Sequence, residues 1–513
     1  MHPTLAGSLA DMGKATFHLP NIIVKYSYTQ IMRRTEMNGK TKRRLIKSFK
    51  QMVSKRIASF VCLSLIVFSF AHPFTASDGT IHTTSVSALA VSDSLVQSST
   101  ELIWERTYGG KGDDRAFYAA PTKDGGFLIV GSTTSFSEGE PTAWIVRIDS
   151  NGNMLWNKTF PERNGSEFRH VLKTEDGFLL VGNTFASSGD SDGMIIRIDE
   201  EGGVLWNITT GGPTVDRLLS ATETADGFVT VGLTFPSNTN GSDAWVIKTN
   251  PDGEVIWNRT YGQPGDNAVR AIVPAENGSC MVAGYTNSTE EGKHQFWLFK
   301  IDKQGALLWN RTYGVSESQK AIALAEAENG YLIVGDSHSA GGDADALMVK
   351  TDLDGNLVWN RTFGGDNFDM PNNVIRLNSG GYAIAGFTFS FGKGERDFWL
   401  FKIDDAGNVV WSCTQGRERF EEAYYVGEAA ESEFVMVGWT NSIGSGLYDY
   451  YVVKIKVEAR NDSFFANGLF YGLVGASIVG VLSLAFLAAY FRRKRRKGKA
   501  DGDSKQLRTD LSV

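Results

Sequence analysis

Carboxylates are the residues of this chain that recur where chemistry could be done. Asp113, Asp114, Asp190, Asp192, Asp216, Asp243, Asp266, Asp343, Asp345, Asp366, Asp397 and Asp449 fall in polar stretches between short apolar runs. Glu290, Glu291, Asp369, Glu395, Glu421 and Glu422 belong to the same stretches. Brought to one face, they would form an acidic rim able to capture a cation, a divalent metal ion or a basic protein. The other chemistry-bearing types are sparse. His170, His294 and His338 follow no metal-ligand spacing, and exposed loop positions are expected for them. Asp352-Leu353-Asp354-Gly355 begins like a calcium loop, but the further acidic ligands are missing and a tight turn is expected. Cys280 and Cys413 are far apart in the chain, so no disulfide is expected between them.

The elements that position these residues are set by a repeat. Trp104, Trp156, Trp206, Trp257, Trp309, Trp359 and Trp411 are separated by 52, 50, 51, 52, 50 and 52 residues. A period this regular marks one supersecondary unit used seven times. Residues 268–314 show its content: AVRAIVPAEN, SCMVAGYT, FWLFKID and ALLWNRTYG are four short β-rich runs separated by Asn-Gly, a polar loop and Lys-Gln-Gly. Trp144, Trp245, Trp297 and Trp399 each precede the next marker Trp by 12 residues. Between them lies Asp-x-x-Gly, as in Asp149/Gly152 and Asp302/Gly305, where Asp accepts backbone hydrogen bonds and Gly takes positive φ. The second run ends in Gly-x-Thr or Gly-x-Ser, from Gly131/Thr133 to Gly438/Thr440. The third carries a basic residue in every unit (Arg147, Arg197, Lys248, Lys300, Lys350, Lys402, Lys454), expected to pair with the turn acid two residues on.

The array starts with a fourth-type run, residues 102–109, and ends with a third-type run, residues 449–457. Pairing these two closes a ring of seven four-stranded blades, and Trp104 then belongs to the last blade. The Asp-x-x-Gly-x-x-x-Trp hairpin, Asn-Arg-Thr-Tyr-Gly, and DGGFLIVGST of residues 124–133 resemble the seven-bladed β-propeller repeat of archaeal and bacterial surface proteins. The hairpin is also similar to that of pyrroloquinoline-quinone-type propellers. The resemblance covers residues 101–457 and implies an all-β propeller. Quinone enzymes carry their cofactor ligands on long insertions, for which this uniform period leaves no room.

The ends carry a different chemistry. Residues 40–56 are rich in Lys and Arg, residues 57–71 are apolar, and Ser69-Phe70-Ala71 has small-x-small spacing, together a secretory signal. Its depth in the chain suggests a true start at Met37 or Met52, so residues 1–76 read as an extension plus signal and 77–100 as a Ser/Thr-rich linker. After a short stalk at 458–463, residues 464–491 hold 28 residues without a charge, enough for a membrane helix. The basic tail at 492–513 places that end in the cytoplasm and the propeller outside. Gly468, Gly472, Ala476 and Gly480 form a small-residue stripe through which two such helices could associate as a homodimer. With both basic ends set aside, the region between is acidic, against nucleic-acid binding.

Asn157, Asn207, Asn258, Asn310 and Asn360 each follow a marker Trp in an Asn-x-Thr sequon, and Asn164, Asn240, Asn277, Asn287 and Asn461 complete a set of glycosylation candidates. The expectation is a membrane-anchored, extracellular, non-catalytic binding or adhesion module, taking a protein, glycan or cation and needing no cofactor beyond a possible divalent cation. The alternative is a surface hydrolase or quinone-dependent oxidoreductase on the same scaffold.

Overall fold

The computed structural model describes residues 98–458, apart from 162–164, 186–188, 237–240, 290–291, 315–317 and 339–343. The signal, most of the linker, the stalk beyond residue 458, the apolar segment with its small-residue stripe and the basic tail lie outside the described residues. So do Asp343, Glu290, Glu291, Asn164, Asn240 and Asn461. Among the described residues no helix is long and apolar enough to cross a membrane, and the one helical element is the short 3-10 turn Glu276–Gly278.

The described chain forms seven antiparallel four-stranded sheets. Blades I to VI occupy residues 114–160, 166–210, 216–261, 267–313, 319–363 and 369–415. Blade VII takes three strands from residues 421–457 and its outer strand from Thr100–Tyr108. That strand pairs with Asp449–Val457 in the register Leu102↔Ile455 and Tyr108↔Tyr450, which closes the ring as the sequence phasing requires. It begins at Thr100, two residues before the expected start.

Burial follows strand position. In blade I the second and third strands, Phe127–Thr133 and Thr142–Ile148, are buried throughout, and the outer strand Met154–Phe160 is largely exposed. Apolar residues on both faces of the middle strands pack between neighbouring sheets. Leu128, Val130 and Ile145 of blade I meet Phe178, Leu180 and Ile196 of blade II, and a similar layer fills each junction. The core is therefore seven interblade layers, the nearest-neighbour organisation of a repeat protein.

The innermost strand of every blade carries a β-bulge at the same place. The register shifts between Ala116 and Tyr118, Phe168 and His170, Leu218 and Ser220, Val269 and Ala271, Ala321 and Ala323, Pro371 and Asn373, and Ala423 and Tyr425. A bulge re-aims the extra side chain. Here the seven extra residues are turned to the centre of the ring.

Candidate functional site

The first residue of each innermost strand is polar and buried: Asp114, Ser166, Asp216, Asn267, Gln319, Asp369 and Glu421. A buried carboxylate needs several donors, and these have them. Asp114 accepts the Gly110 N–H at 2.8 Å, the Ser135 hydroxyl at 2.6 Å and the Thr133 hydroxyl. Asp369 repeats the set with Gly365, Ser390 and Thr388. The Thr of Gly-x-Thr is thus the strand-end partner of this latch, as Thr440 is of Glu421 at 2.7 Å. Asp216 accepts the Gly212 N–H at 2.6 Å. Asp397 and Asp449, first in their third strands, bind Lys393 and Gly394 or Ser445 and Gly446 through backbone N–H groups. Burial holds their carboxyls above the usual carboxylate range.

This changes the expected rim. Asp114, Asp216, Asp397 and Asp449 are buried and shape loops, because an acid beside a turn is better placed to cap backbone N–H groups than to face water. Asp113 pairs with Arg115 at 2.8 Å, and Asp266 faces the His294 ring at 3.6 Å. Asp190, Asp192, Asp243 and Asp345 are half-buried, and burial raises the carboxyls of Asp192 and Asp243. Asp366 stays exposed. Among the described residues no group of three or more His, Cys, Asp or Glu side chains is placed to hold a metal ion.

The seven bulges line a central channel of about 770 Å³. Its wall is not sevenfold. The bulge residues are Phe117, Arg169, Leu219, Arg270, Ile322, Asn372 and Tyr424, and the residues after them are Tyr118, His170, Ser220, Ala271, Ala323, Asn373 and Tyr425. Blades VII, I and II supply an aromatic wall: Phe117 meets Tyr424 edge-on at 5.4 Å, and Tyr118 contacts His170 at 4.3 Å and Tyr425 at 5.0 Å. His170 is not the exposed loop residue expected. It lies on the inner strand of blade II, 8% exposed, with Nδ1 buried and unpartnered. Burial lowers its pKa to about 4, so the ring is neutral.

Charges at the channel divide into paired and unpaired. Arg169 binds Glu167 at 2.8 Å and lies 4.1 Å over Phe117, Lys173 binds Glu200, and Glu422 binds Arg396 at 2.8 Å. Arg217 and Arg270 are exposed along the channel and have no ion pair among the described residues. Arg270 and Lys320 both approach the ring of Tyr285, at 5.9 and 5.1 Å. Beside the mouth, the Arg396 guanidinium is surrounded by Phe387, Phe389 and Phe420 at 4.5, 4.8 and 5.4 Å.

Sequence reasoning missed this channel wall because a bulge residue looks like any other strand residue. One signal was available. The Gly of every Gly-x-Thr faces the carbonyl just before the bulge, Gly131 against Arg115 and Gly438 against Glu422, and a Cβ there would collide with it. The third-strand bases also choose another partner than expected. Arg147 and Lys248 reach the acid in the turn between the first two strands, Asp124 and Asp226, both at 2.6 Å. Arg197 does the same with Asp176. The hairpin acids, such as Asp149 and Asp302, instead cap their own turns through backbone N–H groups. Cys280 and Cys413 are buried free thiols.

No protein-family profile and no curated protein matches the chain by sequence. Solved structures do match it. One is the β-propeller domain of the trilobed protease from Pyrococcus furiosus, 11% identical, covering 68% of this chain and 98% of that one, TM-score 0.40. Another is a protein of unknown function from Dyadobacter fermentans, 12% identical, covering 70% and 99%, TM-score 0.39. A third is a putative 6-phosphogluconolactonase from Bacteroides fragilis, 12% identical, covering 58% and 83%, TM-score 0.39. Similarity at this level assigns no activity.

Proposed function

We propose that this β-propeller is a ligand-recognition module, non-catalytic, held at the outer surface of a membrane by the apolar segment 464–491. The observation that carries the reading is the channel wall. The repeat is regular in its strands, turns and interblade layers, and it departs from sevenfold order most strongly where Phe117, Tyr118, His170, Arg217, Arg270 and Tyr424 meet one cavity. Side chains that the packing does not dictate are the ones left free to specify a partner. A cavity of about 770 Å³ is within the ordinary range for small-molecule sites. The chain leaves the ring at the end of Asp449–Val457, on the face opposite the latch loops, so a short stalk would turn the latch-loop mouth away from the membrane.

The test is a binding screen of the full chain against glycans, cations, anions and basic proteins, run beside turnover assays on sugars and alcohols. Saturable binding without turnover supports the module. Turnover lost on channel substitutions would replace it with the enzymatic alternative. Protease treatment of intact cells should release propeller fragments, and their full protection would remove the extracellular placement.

A further inference from the structure

We infer that the channel takes an oxyanion, a carboxylate or phosphate carried by a small ring-bearing molecule, with Arg217 and Arg270 as its charge partners. The inference rests on the recognition-module reading and names the ligand class of the same cavity. It runs against the net acidity of the chain, and the structure resolves that conflict.

The first observation is charge accounting inside one cavity. Arg169, Lys173 and Glu422 line the channel with their charges already matched by Glu167, Glu200 and Arg396. Arg217 and Arg270, on adjacent blades, make no ion pair among the described residues; the one carboxylate that feels the Arg270 charge is buried Asp336, which is already bound by His338. Guanidinium groups present forked N–H donors that fit carboxylate and phosphate oxygens in pairs. A cleft with one uncompensated sign of charge and apolar walls focuses its field. Leu219, Ala271 and Ile322 supply such walls on the same side.

The second observation is independent of charge. His170 faces the same cavity from blade II with a buried ring nitrogen that has no partner. Leaving such a group unsatisfied costs stability. A turn of the ring toward the channel would let a hydroxyl or ring oxygen of a bound ligand supply the missing hydrogen bond. Beside it the Tyr118, Tyr424 and Phe117 rings offer an apolar face for the ligand ring.

The acids in the turns between the first two strands do not cancel this site. Asp124, Asp176 and Asp226 lie in turns at the far ends of the innermost strands, and each is paired with a third-strand base. Arg270 stands fourth in the strand Asn267–Pro274, so about 13 Å of strand separates it from the turn end, and Arg217, second in its own strand, lies farther still. The Debye length at physiological ionic strength is about 8 Å. Charges at that distance are screened, whereas Arg217 and Arg270 act on a ligand in direct contact.

The experiment is calorimetric titration of the full-length chain with glucuronate, glucose 6-phosphate, glucose and glucosamine. The carboxylate and phosphate arms separate the two sources of the oxyanion. The expected result is saturable binding of at least one anion, weakened several-fold as salt rises from low to physiological levels. Arg217→Gln and Arg270→Gln should each weaken it by roughly ten-fold without shifting the thermal midpoint, since both side chains are exposed. Failure of both anions to bind, or binding indifferent to both substitutions, overturns the inference. Binding of glucose or glucosamine in place of the anions would also overturn it while leaving the recognition module standing. Turnover of a bound sugar would instead remove that broader reading.

Discussion

The indole of Trp206 closes on Gly253 of the next blade. A Cβ on that glycine would come within 2.7 Å of the ring, and Trp206 Nε1 donates to the Pro251 carbonyl of the same turn at 2.9 Å. The contact recurs around the ring, with Trp104 against Gly152, Trp257 against Gly305 and Trp359 against Gly407. Six of the seven marker Trp residues are therefore locks onto the hairpin turn of the following blade, and this explains why their spacing is so constant. Trp411 has no such turn ahead of it, since blade VII receives its outer strand from the N-terminal side, and it packs on Phe434 instead.

Gly253→Ala should destabilise the propeller by more than backbone strain alone. Gly253 has φ +88°, where an L-residue costs about 1–2 kcal/mol. The added methyl must also displace the Trp206 ring, and overpacking adds about 1–3 kcal/mol. Gly189 is the control: its φ is +90° and, among the described residues, nothing lies within 4 Å of a Cβ there. Thermal unfolding of both variants measures the difference. Equal losses would mean that the indole contact contributes little.

Asn258 has a structural task apart from its sequon. Its side-chain oxygen accepts the Trp245 indole N–H at 2.7 Å, as Asn157 does for Trp144 at 3.1 Å. In blade VI, Ser412 accepts from Trp399 at 3.0 Å with no sequon present. Asn258→Ala should cost about 1 kcal/mol, the worth of a typical hydrogen bond, and Asn258→Ser should cost less. Chemical denaturation of unglycosylated protein checks this. Equal losses for Ala and Ser would leave the hydrogen bond without an energetic role.

Asp369 and Asp366 stand three residues apart and should respond oppositely. Asp369 is fully buried and accepts from Gly365, Thr388 and Ser390, so Asp369→Ala strands three donors and should cost about 2–4 kcal/mol. Asp366 is exposed, and Asp366→Ala should change stability by less than about 0.5 kcal/mol. Any ligand whose binding is lost with Asp366→Ala at unchanged stability would restore an acidic contribution to recognition.

These contrasts show what the sequence could and could not reveal. Strand number, blade count and closure through Trp104 are periodic properties, and periodicity is visible in one dimension. The fate of an individual acid is not. Asp366 lies in the loop that leads into the inner strand and Asp369 is that strand's first residue, and only the direction of the chain at this point decides which carboxylate turns inward. The choice of Asp124 over Asp149 as partner of Arg147 has the same cause. It depends on a cross-strand approach between the first hairpin and the third strand, 23 residues apart in sequence.

His170 makes the pH dependence of the channel testable. Burial lowers its pKa from 6.5 to about 4, so the folded protein resists protonation that the unfolded chain accepts. The sign follows from that difference. The contribution of neutral His170 to stability is complete above pH 6.5, and it is lost as pH falls toward 4. Its full size is roughly 3 kcal/mol, because each tenfold difference in proton affinity between the folded and unfolded chain is worth about 1.4 kcal/mol. Two outcomes should accompany acidification: the thermal midpoint falls between pH 6.5 and 4, and a His170→Gln variant shows a shallower fall over the same interval. The His170 ring resonances should titrate near pH 4 by NMR, well below those of a free imidazole. Titration near 6.5, with the same pH profile in both proteins, would place His170 in contact with bulk water. It would then no longer contribute a buried, unpartnered nitrogen to the channel.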